Sequence, residues 1–101
     1  MHGTHDLWTQ ALGTYGVGIA MANQPISDAA RVFGERVRAR RHELGKSQEQ
    51  LADDCGLHWT FVGQVERGRR NVSLHNILKL AAGLQIDAAE LVRGLRAPEN
   101  A

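Results

Sequence analysis

The chain has 101 residues, a formal net charge of +1 and one cysteine, Cys55. That length suits one small domain, the near-neutral balance does not by itself announce a polyanionic partner, and a lone thiol excludes an internal disulfide. No run is long and apolar enough to span a membrane and the N-terminus lacks the basic stretch of a secretory signal, so the expected setting is the cytoplasm. Charge distribution says more than charge total. Every Lys and Arg lies at or after Arg31, and two clusters stand out: Arg36, Arg38, Arg40, Arg41 and Lys46, then Arg67, Arg69 and Arg70. Such clusters suit phosphate contacts while other faces stay acidic.

Residues 1–26 are Gly-rich and nearly uncharged, without a helical or strand period. They read as an N-terminal extension, either a mobile tail or a segment that packs through Leu7, Trp8, Leu12, Tyr15, Val17 and Ile19 on the domain, on a second copy or on another protein. His2 and His5 lack a third ligand, and no cofactor motif is present, so neither metal nor cofactor is expected.

From Ser27 onward the pattern is helical. Ser27 is a plausible N-cap for a first helix, with Asp28 favourable at its positive end. Phe33, Val37, Leu44 and the stem of Arg41 recur at helical spacing, and Gly45 closes the helix. Ser47 caps the second helix, and Gln50 three residues later completes a capping-box pattern. Leu51 and Ala52 face inward, and Cys55-Gly56-Leu57 makes a tight turn. The third helix runs from about His58 to Arg67, with Val62 and Val65 inward and Trp59, Thr60, Gly63 and Gln64 outward. Gly68 ends it, and the loop Arg69-Arg70-Asn71-Val72 follows. Ser73 caps the fourth helix, whose expected inner face is Leu74, Ile77, Leu78 and Ala81. Asp87 and Glu90 form a capping-box-like pair before a fifth helix carrying Leu91, Val92 and Leu95. The domain therefore spans 27–96, with 97–101 as a C-terminal tail after the break at Pro98. The fold class is all-α.

Two short helices joined at Gly56 have the layout of a helix-turn-helix, in which the second helix can enter the DNA major groove. From about Val32 to Leu95 the chain also resembles the Cro/phage-repressor type of domain, the XRE family. The resemblance rests on the Arg-rich first helix, Gly45-Lys46-Ser47-Gln48, Leu51-Ala52, Gly56, Val62, Glu66-Arg67-Gly68 and the run Ile77–Leu84, in order and at matching spacing. It implies a five-helix lambda-repressor-like DNA-binding domain and a transcriptional regulator that binds a pseudo-palindromic operator as a homodimer. The stretch Leu57–Leu74 is similar, more narrowly, to the controller proteins of restriction–modification systems. Trp59 stands where those proteins usually carry a basic residue, and Phe61 where they carry Tyr. Gln85 stands where the family often has Gly, so a looser or differently formed junction is expected there.

Roles follow from side-chain chemistry and from the resemblance. Gln64 can pair bidentately with adenine N6 and N7. Thr60 can donate, accept or touch a thymine methyl, and Trp59 offers an apolar surface to thymine or sugar, or packs as a wedge. These three are the expected base contacts, with Gly63 allowing close approach. Ser47 and Gln48 at a helix start, His58, Arg67, Arg70 and Asn71 are the expected backbone contacts. The resemblance pairs Arg41 with Glu66 as a structural ion pair. Cys55 is either a small buried hydrophobe or a redox-active thiol. Leu91, Val92 and Leu95 are the expected dimer surface. The competing reading is a protein-interaction module, an antitoxin or adaptor, in which DNA binding is secondary and the N-terminal extension holds the partner. An enzyme is not expected, because no nucleophile–base pair, phosphate loop or metal cluster is present.

Overall fold

In the computed structural model the described residues are 24–99; the expectations for the extension, including His2, His5 and its apolar side chains, lie outside them. The described chain forms five helices: α1 (Asp28–Glu43), α2 (Gln48–Cys55), α3 (Trp59–Glu66), α4 (Leu74–Leu84) and α5 (Ala89–Val92). None is long and apolar enough to cross a membrane.

Local chemistry sets the helix ends. Ser27, Ser47 and Ser73 each accept from a backbone N–H three residues on, those of Ala30 (3.0 Å), Gln50 (3.0 Å) and Asn76 (3.2 Å). Gln50 Oε1 accepts the Ser47 N–H at 2.8 Å, so the expected capping box is formed and two otherwise orphaned donors are satisfied. At Gly56 the backbone turns through φ 70°, a conformation glycine adopts without a Cβ clash. The end of α4 reaches the same conformation without glycine. Gln85 has φ 57°, its N–H donates to Ala82 O at 3.1 Å, and Ile86 N–H donates to Ala81 O at 3.1 Å. Both hydrogen bonds of a left-handed helix cap are present, so this junction is formed like the others and is not looser.

Helix α1 lies against α3 and α4, and α2 packs on both. Val37, Leu51, Val62, Leu80, Leu84 and Leu91 are fully excluded from solvent at the centre. Gly34 fixes the crossing of α1 over the end of α3, because a Cβ there would run into the carbonyl oxygen of Val65 and lie 2.9 Å from that of Glu66.

Three expectations are corrected here. The inner face of α4 is Ile77, Leu80, Ala81 and Leu84, whereas Leu74 and Leu78 are 68% and 49% exposed. Outside the polar face of His75, Asn76 and Lys79 the apolar residues cover a wide arc, so the spacing alone did not select the stripe that faces the core. Leu91, expected at a dimer surface, is 0% exposed and belongs to the protomer's own core, while Val92 beside it is 40% exposed. At α5 the Asp87 carboxylate caps the Ala89 N–H at 2.8 Å, but Glu90 turns to Arg93 at 2.6 Å instead of reaching back. That capping box does not form.

The basic residues of α1 are also used differently from a phosphate patch. Arg36 donates to the carbonyls of Leu91 (3.2 Å) and Arg93 (2.8 Å), and Arg40 donates to those of Leu84 (2.9 Å) and Gln85 (3.4 Å). Lys46 donates to Gly83 O at 2.8 Å and pairs with Asp54 at 2.6 Å. Cations placed on the last carbonyls of a helix satisfy groups that have no intrahelical partner and oppose the negative end of its dipole. Much of the first basic cluster therefore binds α4 and α5 to α1.

Candidate nucleic-acid interface

The outer edge of α3 is built by its neighbours. Arg41, late in α1, donates from Nε and Nη2 to the two carboxylate oxygens of Glu66 at 2.6 and 2.9 Å. The two side chains are 9% and 3% exposed, so the pair is buried and bidentate. The hydrogen bond to Glu66 holds the Arg41 guanidinium above its ordinary pKa against the opposing effect of burial. Arg41 Nη1 also donates to Lys46 O at 2.9 Å, which ties the pair to the loop before α2. The pair read from the resemblance is thus present, and it joins the end of α3 to α1.

Gln48 and Gly63 complete this junction. Gln48 Nε2 donates to Glu66 Oε1 at 3.0 Å. Gly63, expected on the outer face, is buried beneath that amide: a Cβ there would sit 3.3 Å from Gln48 Oε1 and 3.4 Å from Arg67 Nη1. Its missing side chain serves the approach of α2 to α3. Ser47 spends its hydroxyl oxygen on the Gln50 N–H.

The remaining side chains reach solvent. Trp59 is 50% exposed on the first turn of α3, and Thr60 and His58 are exposed beside it. His58 is the N-cap of the helix and accepts the Thr60 N–H on Nδ1 at 3.2 Å. Its ring stacks on Trp59, with centroids 6.0 Å apart and planes 24° from parallel. Gln64 is half-buried one turn further on, and Arg67, Arg70 and Asn71 are exposed after it. The Arg70 guanidinium lies over the Phe61 ring, 5.0 Å from its centroid, so this aromatic position supports a cation. Arg69 instead donates to the carbonyl of Gln24, fastening the start of the domain to the loop after α3.

The structure thus brings Trp59, Thr60 and Gln64 onto α3, flanks them with His58, Arg67, Arg70 and Asn71, and ties Gln48, Arg41 and Glu66 together beneath. Sequence reasoning missed Gly34 and the Phe61–Arg70 stack, and it turned Gly63 outward. A glycine inside a helix costs roughly 1 kcal/mol relative to alanine, and that cost was the available signal of a close contact. Cys55 is buried against Gly83, and burial, reinforced by Asp54, pushes its thiol pKa up. A raised thiol is a poor nucleophile, so the packing reading fits better than the redox one. Among the described residues no His, Cys, Asp and Glu side chains are grouped as metal ligands.

A second helix held by its neighbours, with its polar and aromatic edge turned outward, defines a DNA-binding regulator of the Cro/phage-repressor (XRE) type. The chain belongs to the helix-turn-helix family, whose model matches residues 37–91, more than half of its length. It is similar to the control protein C.BamHI of Bacillus amyloliquefaciens, 44% identical over 62 residues, covering 60% of this chain and 76% of that one. It is 42% identical to the control protein C.SmaI of Serratia marcescens over 65 residues, covering 64% and 77%. The crystal structure of the restriction-modification controller protein C.AhdI from Aeromonas hydrophila superposes with a TM-score of 0.60 at 55% identity, covering 61% of this chain and 94% of that one. These relatives are control and controller proteins.

Proposed function

We propose that the protein is a homodimeric transcriptional regulator that places α3 of each protomer in the major groove at the two halves of a pseudo-palindromic operator. The observation that carries this reading is the contrast between its two basic clusters. The arginines of α1 are largely spent on helix ends and on Glu66, whereas Arg67 and Arg70 stand exposed at the end of α3, beside an outward-facing edge of Trp59, Thr60 and Gln64. Trp59, Thr60 and Gln64 read base edges in this arrangement. Ser47, Gln48, His58, Arg67, Arg70 and Asn71 hold the sugar–phosphate backbone. One domain of this size contacts few bases, so two copies about one helical turn apart supply the specificity.

The surface for the second copy is Val92 with Leu95. Both line an open groove of about 1090 Å³ between α1, the loop before α4 and the segment after α5, and Ile26 and Ile77 extend its apolar wall. Residues 27–96 form the DNA-binding domain, and 1–26 and 97–101 are extensions to it. In this reading the protein acts in the cytoplasm, without a catalytic step.

Selection of bound sequences from random duplex DNA tests this reading. The expected product is a site with two-fold symmetry. Gln64→Ala relaxes preference at one position per half-site, by about 1–3 kcal/mol of discrimination. Arg70→Ala weakens binding on all sequences alike and reduces the salt slope by about 0.9 for each phosphate it no longer neutralises. A protein that remains monomeric both in solution and on DNA sinks the dimer, and an equal loss on every sequence for Gln64→Ala sinks its reading role.

A further inference from the structure

The backbone N–H and the hydroxyl of Thr60 converge on one atom of His58. The Thr60 backbone N–H donates to His58 Nδ1 at 3.2 Å, and Thr60 Oγ1 lies 2.7 Å from the same nitrogen. A backbone N–H only donates, so Nδ1 carries its lone pair and the ring proton sits on Nε2. With Nδ1 an acceptor, a hydroxyl oxygen at 2.7 Å must donate to it, since two lone pairs at that distance repel. The hydroxyl proton of Thr60 is thereby directed at His58. What Oγ1 keeps for any other partner is lone pairs. Stacking on Trp59 steadies the imidazole in this pose, and the Nε2–H remains as a donor suited to a phosphate oxygen.

We propose that His58 fixes the polarity of Thr60, making it an acceptor-only reader that takes the exocyclic amino group of adenine or cytosine and rejects guanine and thymine. In the major groove adenine N6 and cytosine N4 donate, while guanine N7 and O6 and thymine O4 only accept. A rotating hydroxyl satisfies either kind of edge, whereas one whose proton is already committed meets guanine or thymine with lone pair against lone pair. His58 is in this sense a specificity-determining residue that acts through its neighbour. The inference rests on the reading of α3 as the groove-entering helix.

The test is selection from random duplex DNA with the full chain as wild type, Thr60→Val, His58→Phe and His58→Asn. Wild type selects adenine or cytosine about fivefold over guanine and thymine at one position per half-site. Thr60→Val keeps the shape, loses the hydroxyl and loses that preference. His58→Phe keeps a ring against Trp59 but removes the acceptor, so guanine and thymine are admitted at that position while the others keep their preferences. His58→Asn supplies a side-chain oxygen as acceptor and restores adenine or cytosine, which separates the effect from loss of the helix cap. A wild-type preference for guanine or thymine at the Thr60-dependent position overturns the inference. So does a His58→Phe profile that is unchanged, or one degraded at every position alike. A wild-type chain that binds no DNA sinks the operator reading, and this inference with it.

Discussion

Gln48 donates from Nε2 to Oε1 of Glu66 at 3.0 Å, linking the first turn of α2 to the last turn of α3. The same carboxylate takes both donors of the Arg41 fork, so three N–H groups from two helices converge on Glu66. The Gln48 amide has a second hydrogen. A phosphate held there would be connected through one side chain to the buried pair that sets the position of α3. An expected backbone contact, Gln48, and the residue that anchors α3, Glu66, are thus hydrogen-bonded neighbours.

Glu66→Ala leaves the Arg41 guanidinium buried without its counter-charge. The expected loss is about 3–5 kcal/mol in urea denaturation, as for other broken buried pairs. Replacing both partners by apolar side chains, Arg41→Met with Glu66→Leu, should restore most of that stability, because the desolvation cost of both charges disappears as well. If the pair positions α3, the double variant folds yet binds DNA more weakly than wild type. Full recovery of affinity in the double variant would show that the pair serves stability alone.

The two helical glycines at these crossings should respond to alanine with opposite signs. A Cβ on Gly34 meets the backbone carbonyls of Val65 and Glu66, which cannot move without shifting α3. Gly34→Ala is expected to cost about 1–3 kcal/mol, in line with overpacking elsewhere. A Cβ on Gly63 meets the far ends of the Gln48 and Arg67 side chains at 3.3 and 3.4 Å, and these can swing away. Gly63→Ala should therefore hold or raise stability by up to about 1 kcal/mol through helix propensity. Its cost falls on DNA affinity, since it displaces two side chains expected on the DNA backbone. Thermal unfolding and a binding titration on the selected site distinguish the two outcomes.

How much of this was legible in the sequence depends on the range of the interaction. Ser27, Ser47 and Ser73 cap their helices through bonds within three residues, and the pattern announced them. The outward placement of Trp59, Thr60 and Gln64 followed from helical spacing. What the pattern did not carry was long-range. Arg36 and Arg40 end on carbonyls 55 to 57 and 44 to 45 residues away, and a charge cluster alone does not say whether it meets solvent or the end of another helix. Leu74 and Leu78 sit in a helix whose apolar residues allow more than one core-facing stripe. Gly63 looked outward by spacing and is covered by a side chain from another helix. The Arg41–Glu66 pair, 25 residues apart in sequence, was legible only through family resemblance.

Burial raises the Cys55 thiol above its ordinary value, and the sign of the consequence follows. Above about pH 8.5 the thiol of the unfolded chain ionises while that of the folded chain stays protonated. The unfolded state then binds fewer protons, so stability falls as pH rises from there through the folded pKa, and below that window the thiol contributes no pH dependence. Urea denaturation at about pH 7.5 and about pH 9.5, on either side of the free-thiol value, should show a larger drop for wild type than for Cys55→Ala. In the native state alkylation of Cys55 should be much slower than in urea. Equal rates in the two states would contradict the buried, protonated thiol.

Gln85 closes α4 at φ 57°, where the hydrogen bonds of the junction are already in place. The left-handed conformation costs a residue with a Cβ roughly 1–2 kcal/mol, and glycine avoids that cost at the expense of a more disordered unfolded chain. The Gln85 side chain is exposed, and Arg40 reaches this residue through its backbone carbonyl, which glycine retains. Gln85→Gly should therefore stabilise the protein by up to about 1 kcal/mol, seen as a rise in Tm of roughly 4–8 °C for a domain of this size. DNA affinity should not change, because the position lies on the α4–α5 junction and not on α3. A lower Tm would mean that the Gln85 side chain supplies an interaction worth more than the backbone strain it imposes.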